Sequence, residues 1–133
     1  RELVLQPSFS YYKEGVDKVG ELICRRLESC GMEVEIVVEK EAGNQLIFRS
    51  AACSGQEKSI LLAGHMDTVF PLDSAFNWYR ESDGKVFGPG VIDMKGGLVA
   101  AVFAIRALAH CGLLDTLPVT LICNSDEEIG SPF

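Results

Sequence analysis

The chain has 133 residues, of which 47% are apolar and 23% are charged, and its net charge at pH 7 is −7. This length is sufficient for one domain with a hydrophobic core of its own. The negative charge argues against nucleic acid and against an anionic membrane as partners, because both repel an acidic surface. No apolar stretch approaches the roughly 20 residues that a membrane-spanning helix requires.

The five cysteines predict a protein of a reducing compartment, and we expect it in the cytoplasm. Their number is odd and no two of them form a CxxC pair, which disfavours both a disulfide framework and a thiolate metal cage. We therefore interpret them as buried or incidental free thiols. The sequence carries no signal peptide, but it begins with Arg1, so a trimmed leader stays open as an alternative.

The first third of the chain predicts a helix followed by a β-hairpin. Apolar residues recur at helical spacing over residues 16–27, with charged residues between them, and Gly31 suits the position that follows a helix end. Residues 34–49 then carry two strand-like apolar segments that are separated by a turn at 42–44. We predict that these two segments pair antiparallel.

The remainder of the chain predicts a βαβ unit. Residues 59–63 and 118–123 are continuous apolar runs typical of buried strands. Residues 97–111 predict a helix so apolar that we expect it to be buried on more than one face. Such a unit implies parallel strands with a right-handed crossover. Residues 71–89 predict a loop with one short strand near residues 85–87.

The predicted fold class is therefore α/β, with a mainly parallel, twisted sheet that is flanked by helices and extended by an antiparallel hairpin. Five polar side chains lie at the ends of its elements. His65 and Asp67 follow one apolar strand, Glu127 and Glu128 follow the other, and Asp93 lies in a glycine-rich turn before the apolar helix. Because ligands gather where parallel strands end, we expect these side chains to converge at one rim of the sheet.

One histidine with several carboxylates is a ligand set that suits a hydrolytic metal site. His65 offers a neutral imidazole nitrogen to zinc or cobalt, and Asp67 can accept the other ring N–H and fix the tautomer. The carboxylate of Asp93 can bridge two metal ions. Glu127 and Glu128 face different ways on an extended backbone, so one can bind metal while the other transfers a proton.

Each of these residues also has an ordinary structural interpretation. A lone histidine is commonly a satisfied core residue, an aspartate before a helix is commonly its N-cap, and adjacent glutamates are commonly a solvated loop. We expect Lys95 to make a salt bridge or an exposed contact, and Asp126 to support the neighbouring glutamates. We expect His110 to be a surface cation near a helix C-terminus.

Three segments, residues 64–69, 88–97 and 124–131, resemble the motifs of the M20 metallopeptidases in order and spacing, nearest to the glutamate carboxypeptidase branch that includes carboxypeptidase G2-like enzymes. Asp93 lies 28 residues after His65, and Glu128 lies 35 residues after Asp93. The resemblance covers essentially the whole chain. Three ordered motifs are far more specific than one.

The resemblance implies a role for each polar side chain. His65 binds one zinc ion, Asp93 bridges two, and Glu128 binds the other. Glu127 is the general base and acid, and Asp67 orients His65. The resemblance also implies a cis peptide bond between Asp93 and Met94. Cobalt and manganese are alternatives to zinc.

The resemblance further implies that residues 1–133 are the amino-terminal part of a catalytic domain. Each zinc ion would take a third ligand from sequence beyond Phe133, where a lid domain with dimer contacts and a second histidine would also lie. The full-length protein would then be a homodimer through that lid. We expect residues 1–133 alone to bind metal weakly or not at all and to show no useful turnover.

The expected activity is zinc-dependent hydrolysis of an amide bond in a peptide or N-acyl amino acid, with release of a carboxyl-terminal residue such as glutamate. An amino-acid deacylase, of the acetylornithine deacetylase or desuccinylase type, is the alternative within the same class. A non-catalytic binding module on the same scaffold is the alternative from another class. A third alternative is a folding unit whose exposed sheet edge pairs with a neighbour.

Overall fold

The structure is a computed structural model that describes residues 1–56 and 58–133. Its central sheet has four strands, which are β1 (Glu33–Val37), β2 (Gln45–Arg49), β3 (Ile60–His65) and β6 (Val119–Asn124). Two short strands form a separate ribbon, β4 (Arg80–Ser82) and β5 (Lys85–Phe87). The helices are α1 (Glu2–Leu5), α2 (Lys13–Glu28) and α3 (Gly96–His110). Short helical turns span Ala51–Cys53, Val91–Lys95 and Glu127–Ile129.

The strand order of the central sheet is β1-β2-β6-β3. Strands β1 and β2 form the predicted antiparallel hairpin, and β2 also pairs antiparallel with β6. Strands β3 and β6 pair parallel with α3 between them, so the predicted βαβ unit is present. The α/β fold class is confirmed, and the sheet is mixed because its parallel pair carries the antiparallel hairpin on one side.

Helix α2 ends as its sequence predicts. Gly31 has a φ of 81°, a left-handed conformation that a residue with a side chain rarely adopts. Its N–H donates to the carbonyl of Glu28, and the N–H of Met32 donates to that of Leu27. These two bonds satisfy carbonyls that the end of the helix leaves free, which is the usual function of a glycine in this position.

The hydrophobic core lies between one face of the sheet and the helices α2 and α3. Alternate residues of β2 and β6 point into it, including Phe48 at 0% exposure and Leu121 at 1%, which lie opposite each other in the register. Both helices contribute a stripe of buried apolar side chains to the same cluster. Its helical members are Val16, Val19, Ile23, Leu27, Leu98, Val102 and Ile105.

Two predictions of burial were wrong. Strand β3 lies at the edge of the sheet, where Ile60 and Leu61 are 52% and 58% exposed. Helix α3 buries one face only, and on its opposite side Phe103 is 62% exposed. An apolar run reports how favourable burial of a segment would be, whereas burial itself needs a covering surface. Within the described residues, nothing covers these two surfaces.

The loop before α3 contains a hairpin, of which we predicted only the second strand. Strand β5 coincides with the short strand expected at residues 85–87, and β4 pairs with it antiparallel. Asp83 and Gly84 connect them, and both have positive φ, 51° and 71°. An Asp-Gly pair with this geometry is typical of two-residue hairpin turns, so the sequence did carry a signal for β4.

Two broader expectations concern membranes and thiols. In the part of the chain that the structure describes, no helix has the length and apolarity to span a bilayer. All five cysteines are free thiols, and their exposure differs widely. Cys123 is fully buried in β6, whereas Cys111 is exposed just after α3.

This difference predicts a marked contrast in alkylation. Burial raises the pKa of the Cys123 thiol to about 12, so its thiolate fraction at pH 8 is about 10⁻⁴ and the group is sterically covered as well. We expect iodoacetamide to label Cys111 in the folded protein and Cys123 only after unfolding. Mass spectrometry of timed samples, with and without denaturant, measures both sites. Labelling of Cys123 at equal rates in the two conditions would contradict its placement in the core.

Candidate metal centre

The five side chains that we predicted to converge lie together at one end of the central sheet. They are His65, Asp67, Asp93, Glu127 and Glu128. His65 is the last residue of β3 and is paired with Asn124, the last residue of β6. The N–H of Met66 continues this pairing by donating to the carbonyl of Asn124 at 2.8 Å. The chain after β6 therefore passes directly beside His65. Asp93, in the turn before α3, approaches the same imidazole.

The ligand atoms are close enough to share a cation. Nε2 of His65 lies 2.9 Å from Oδ1 of Asp93, and 3.8 Å from Oε2 of Glu127. His65, Asp93 and Glu128 each offer one ligand atom, and all three atoms lie within 4.8 Å of one another. Ligands at about 2 Å from a zinc ion are typically separated by about 3–4 Å. The imidazole and carboxylates therefore fit a divalent metal in both spacing and chemistry.

The carboxylate of Asp67 is the centre of a buried hydrogen-bond network. Its Oδ1 lies 3.1 Å from Nδ1 of His65, and it also accepts the N–H of Glu127 at 3.2 Å. Its Oδ2 accepts the hydroxyl of Ser10 at 2.6 Å and the N–H of Glu128 at 3.1 Å. When Nδ1 of His65 carries its proton toward Asp67, the lone pair of Nε2 faces Asp93 and is free to bind metal.

Burial and the neighbouring polar groups shift the pKa values of His65, Asp67 and Glu128. Burial opposes a charged imidazole, but hydrogen bonds with Asp67 and Asp93 outweigh it and raise the pKa of His65 to about 9. Burial likewise opposes a charged Asp67, but hydrogen bonds from His65 and Ser10 hold its pKa below the usual value. Burial raises the pKa of Glu128, and the carboxylate of Asp93 adds to this effect. Such a negative environment favours a bound cation.

Exposure divides the site into two parts. His65 and Asp67 are buried, at 4% and 0% exposure. The side chains of Asp93 and Glu127 are 69% and 57% exposed and border the solvent. The histidine is thus enclosed by protein, while the carboxylates of Asp93 and Glu127 are accessible from solvent.

The local structure around the two glutamates differs from the prediction. They lie in the short helical turn Glu127–Ile129 and not on an extended backbone. Asp67 accepts the N–H groups of both residues, which stabilises this turn. Both side chains reach the same imidazole from this turn: Oε2 of Glu127 lies 3.8 Å from Nε2 of His65, and a carboxylate oxygen of Glu128 lies within 4.8 Å of a ring nitrogen of His65.

Two further expectations about neighbouring residues need correction. Lys95 makes neither a salt bridge nor an exposed contact within the described residues. It is 1% exposed, its Nζ donates to the carbonyl of Gln6 at 2.6 Å, and burial lowers its pKa to about 8. Asp126 is also buried, and its carboxylate accepts the N–H of Phe133 at 3.1 Å. It stabilises the segment that follows the glutamates.

Two other expectations agree with the structure. His110 is exposed in the last turn of α3, as predicted for a surface cation. The peptide bond between Asp93 and Met94 is cis, as the resemblance implied.

Ser10 is the site residue that the sequence did not indicate. It lies 57 positions before Asp67 and belongs to none of the three motifs. Its segment runs beside the end of β3, where the N–H of Thr68 donates to Ser8 and the N–H of Ser10 donates to Thr68. A short polar segment before a helix normally suggests capping, so no local pattern could have identified this contact.

A cluster of side chains that could hold a metal ion, placed at the strand ends of an α/β sheet, is an arrangement found in metal-dependent hydrolases. The chain belongs to peptidase family M20/M25/M40, since its residues 61–132 match the model of that family. The M20 resemblance of the three motifs is therefore confirmed.

Two characterised relatives match to the same degree. Carboxypeptidase G2 from Pseudomonas sp. (strain RS-16) is 31% identical over 123 residues, which are 89% of this chain and 29% of that protein. Acetylornithine deacetylase from Proteus mirabilis (strain HI4320) is 31% identical over 138 aligned residues, covering 96% of this chain and 34% of that protein. The chain thus spans about a third of the length of these relatives.

Solved structures agree on the fold. The M20 family metallo-carboxypeptidase Sso-CP2 from Sulfolobus solfataricus superimposes with a TM-score of 0.77 at 26% identity, over 98% of this chain and 30% of that one. Human carnosine dipeptidase 1 gives a TM-score of 0.83 at 20% identity, over 98% of this chain and 32% of that one.

The network around Asp67 predicts a large loss of stability for Asp67→Asn. The amide nitrogen of asparagine cannot accept a hydrogen bond, so at least one of the four buried donors loses its partner. Leaving such a group unsatisfied costs about 1–3 kcal/mol. Denaturant unfolding measures the change. Asp73→Asn, at an exposed position in the loop after β3, is the control and should stay near the wild-type value. Equal stability of Asp67→Asn and wild type would show that the network is not formed.

Proposed function

We propose that the complete protein is a zinc-dependent hydrolase that cuts an amide bond in a peptide or N-acyl amino acid. The observation that carries this proposal is the cluster of His65, Asp93 and Glu128, whose ligand atoms lie within 4.8 Å of one another beside Glu127. Membership of the M20 family and the two matching hydrolases support the same reaction class.

We assign the metal ligands as His65 and Glu128, one for each of two zinc ions, with Asp93 shared between both. Zinc bound there would polarise the scissile carbonyl and lower the pKa of a water molecule. The remaining ligands would come from sequence outside residues 1–133. Cobalt and manganese are alternative metals, because imidazole and carboxylate ligands accept all three.

The protein's own groups then move the proton. Asp67 holds Nδ1 of His65 and keeps the imidazole in its binding orientation. Glu127 is exposed and lies next to the ligands, so its carboxylate can take a proton from the attacking water and return it to the leaving nitrogen. The separation of a buried orienting pair from an exposed base supports this division of roles.

The proposed substrate carries a free carboxylate, and the proposed product is a carboxyl-terminal residue such as glutamate. The match to carboxypeptidase G2 supports this substrate class. An equal match to acetylornithine deacetylase supports the second candidate, which is removal of an acyl group from an amino acid. A panel of acyl-glutamates, acetylornithine and succinylated amino acids would separate the two.

The proposal extends to the architecture and location of the complete protein. Residues 1–133 would form the amino-terminal part of its catalytic domain, and a lid domain elsewhere in the sequence would form a homodimer. The chain covers 29% and 34% of the two relatives, which supports a complete protein longer than residues 1–133. The five free cysteines support a cytoplasmic location.

For Glu127→Gln in the complete protein, we expect kcat to fall by about 10²–10⁴, since the amide cannot accept the proton. The zinc content should stay the same, because Glu127 is not an assigned ligand. Steady-state kinetics and elemental analysis measure the two quantities. Glu81→Gln, on the exposed strand β4, is a control of identical chemistry that should retain full activity. Unchanged turnover in Glu127→Gln would remove the proposed base.

For residues 1–133 alone, we expect weak or absent zinc binding and no turnover, because each ion would have only two of its three protein ligands. Calorimetric titration with zinc tests this expectation. Two sites with submicromolar affinity would contradict it and would show that His65, Asp93 and Glu128 suffice.

A further inference from the structure

We infer that Ser10 is a positioning residue of the metal centre, which acts through Asp67 on both His65 and the turn that carries Glu127. The inference rests on the proposed function. It assigns part of the site to a segment near the amino end of the chain, far in sequence from the three motifs.

A buried hydrogen bond joins Ser10 to Asp67. The hydroxyl of Ser10 donates to Oδ2 of Asp67 at 2.6 Å, and both residues are almost fully buried, at 1% and 0% exposure. A hydroxyl bonded to an ionised carboxylate at this distance is among the strong hydrogen bonds of proteins. Water cannot readily replace Ser10 at this place, since the pair is covered by protein.

Asp67 divides its hydrogen bonds between its two carboxylate oxygens. Oδ1 lies against Nδ1 of His65, and Oδ2 receives the hydroxyl of Ser10. Each oxygen also accepts one backbone N–H of the glutamate turn. The rotation of the carboxylate therefore fixes the imidazole and the turn together. Ser10 is the only side-chain donor to Oδ2 within the described residues, so its loss would leave that oxygen to the N–H of Glu128 alone.

Backbone hydrogen bonds hold Ser10 and its segment in place. The N–H of Ser10 donates to the carbonyl of Thr68, and the N–H of Thr68 donates to the carbonyl of Ser8. The carbonyl of Gln6 accepts the buried ammonium of Lys95, two residues after Asp93. The segment from Gln6 to Ser10 is thus attached to the site near Asp67 and near Asp93. A hydroxyl fixed in this way can hold Asp67 without moving with it.

Ser8 provides a matched control within the same segment. It is as buried as Ser10, at 1% exposure, but its hydroxyl has no hydrogen-bond partner among the described residues. Ser8→Ala and Ser10→Ala remove the same atom from neighbouring buried positions. Only Ser10→Ala removes a bond to Asp67.

The first measurement is zinc affinity in the complete protein by competition with a chromophoric chelator. We expect Ser10→Ala to weaken zinc binding about tenfold, the lower range for a residue that supports a metal ligand. Ser8→Ala should change it by less than about twofold. Ser10→Cys replaces the hydroxyl with a weak donor of similar volume, so its zinc affinity should resemble that of Ser10→Ala. It serves as a second variant in case Ser10→Ala does not fold.

The second measurement is amide hydrogen exchange of the metal-free protein. We expect faster exchange at Glu127 and Glu128 in Ser10→Ala and wild-type rates in Ser8→Ala. Unchanged affinity and exchange in Ser10→Ala and Ser10→Cys would overturn the inference, and so would equal losses in Ser8→Ala. If the wild-type protein binds no zinc, the proposed function is wrong, and the exchange rates still decide the role of Ser10.

Discussion

This site depends on the hydrogen bonds that the buried carboxylate of Asp67 accepts. An ionised carboxylate at 0% exposure would be costly without partners, because the interior solvates charge poorly. Four donors from three separate segments meet it, and they belong to Ser10, His65 and the glutamate turn. The same bonds that make burial of this charge tolerable also determine where the imidazole and the glutamates lie. Stability and site geometry therefore share one network.

The remaining polar groups around this network are buried on one side of it and exposed to solvent on the other. Behind it, hydrogen bonds join the amino-terminal segment to the end of β3 and to the turn before α3, where Lys95 donates to the carbonyl of Gln6. In front of it, the carboxylates of Asp93 and Glu127 reach solvent. Groups that must keep a fixed orientation are thus packed, and groups that must meet a substrate are accessible. This division suits a hydrolytic centre, in which rigidity of the ligands and access of water are both required.

The sequence predicted the features that depend on local pattern. Helical spacing and Gly31 predicted α2 and its end, and two apolar runs around a helix predicted the parallel pair of β3 and β6. From the strand ends we then predicted that His65, Asp93 and Glu128 converge, because ligands gather where parallel strands end.

What the sequence could not supply depends on partners distant along the chain. The contact between Ser10 and Asp67 spans 57 positions and involves a residue type that is common in loops. Burial of Lys95 follows from packing of the amino-terminal segment over it. The exposure of Leu61 and Phe103 depends on which surfaces are present to cover them, and a one-dimensional pattern does not contain that information. The helical turn at Glu127 is stabilised by the carboxylate of Asp67, which accepts the N–H groups of Glu127 and Glu128.

The placement of His65 at the end of an edge strand has a further consequence. Within the described residues, strand β3 pairs with β6 alone, and their alignment is defined by pairs such as Leu62 with Leu121. Successive side chains of a strand point to opposite faces, so a shift of one residue between the two would turn the imidazole to the other side of the sheet. Substitutions well before His65 that favour such slippage would therefore silence the centre while every one of its polar side chains remained intact.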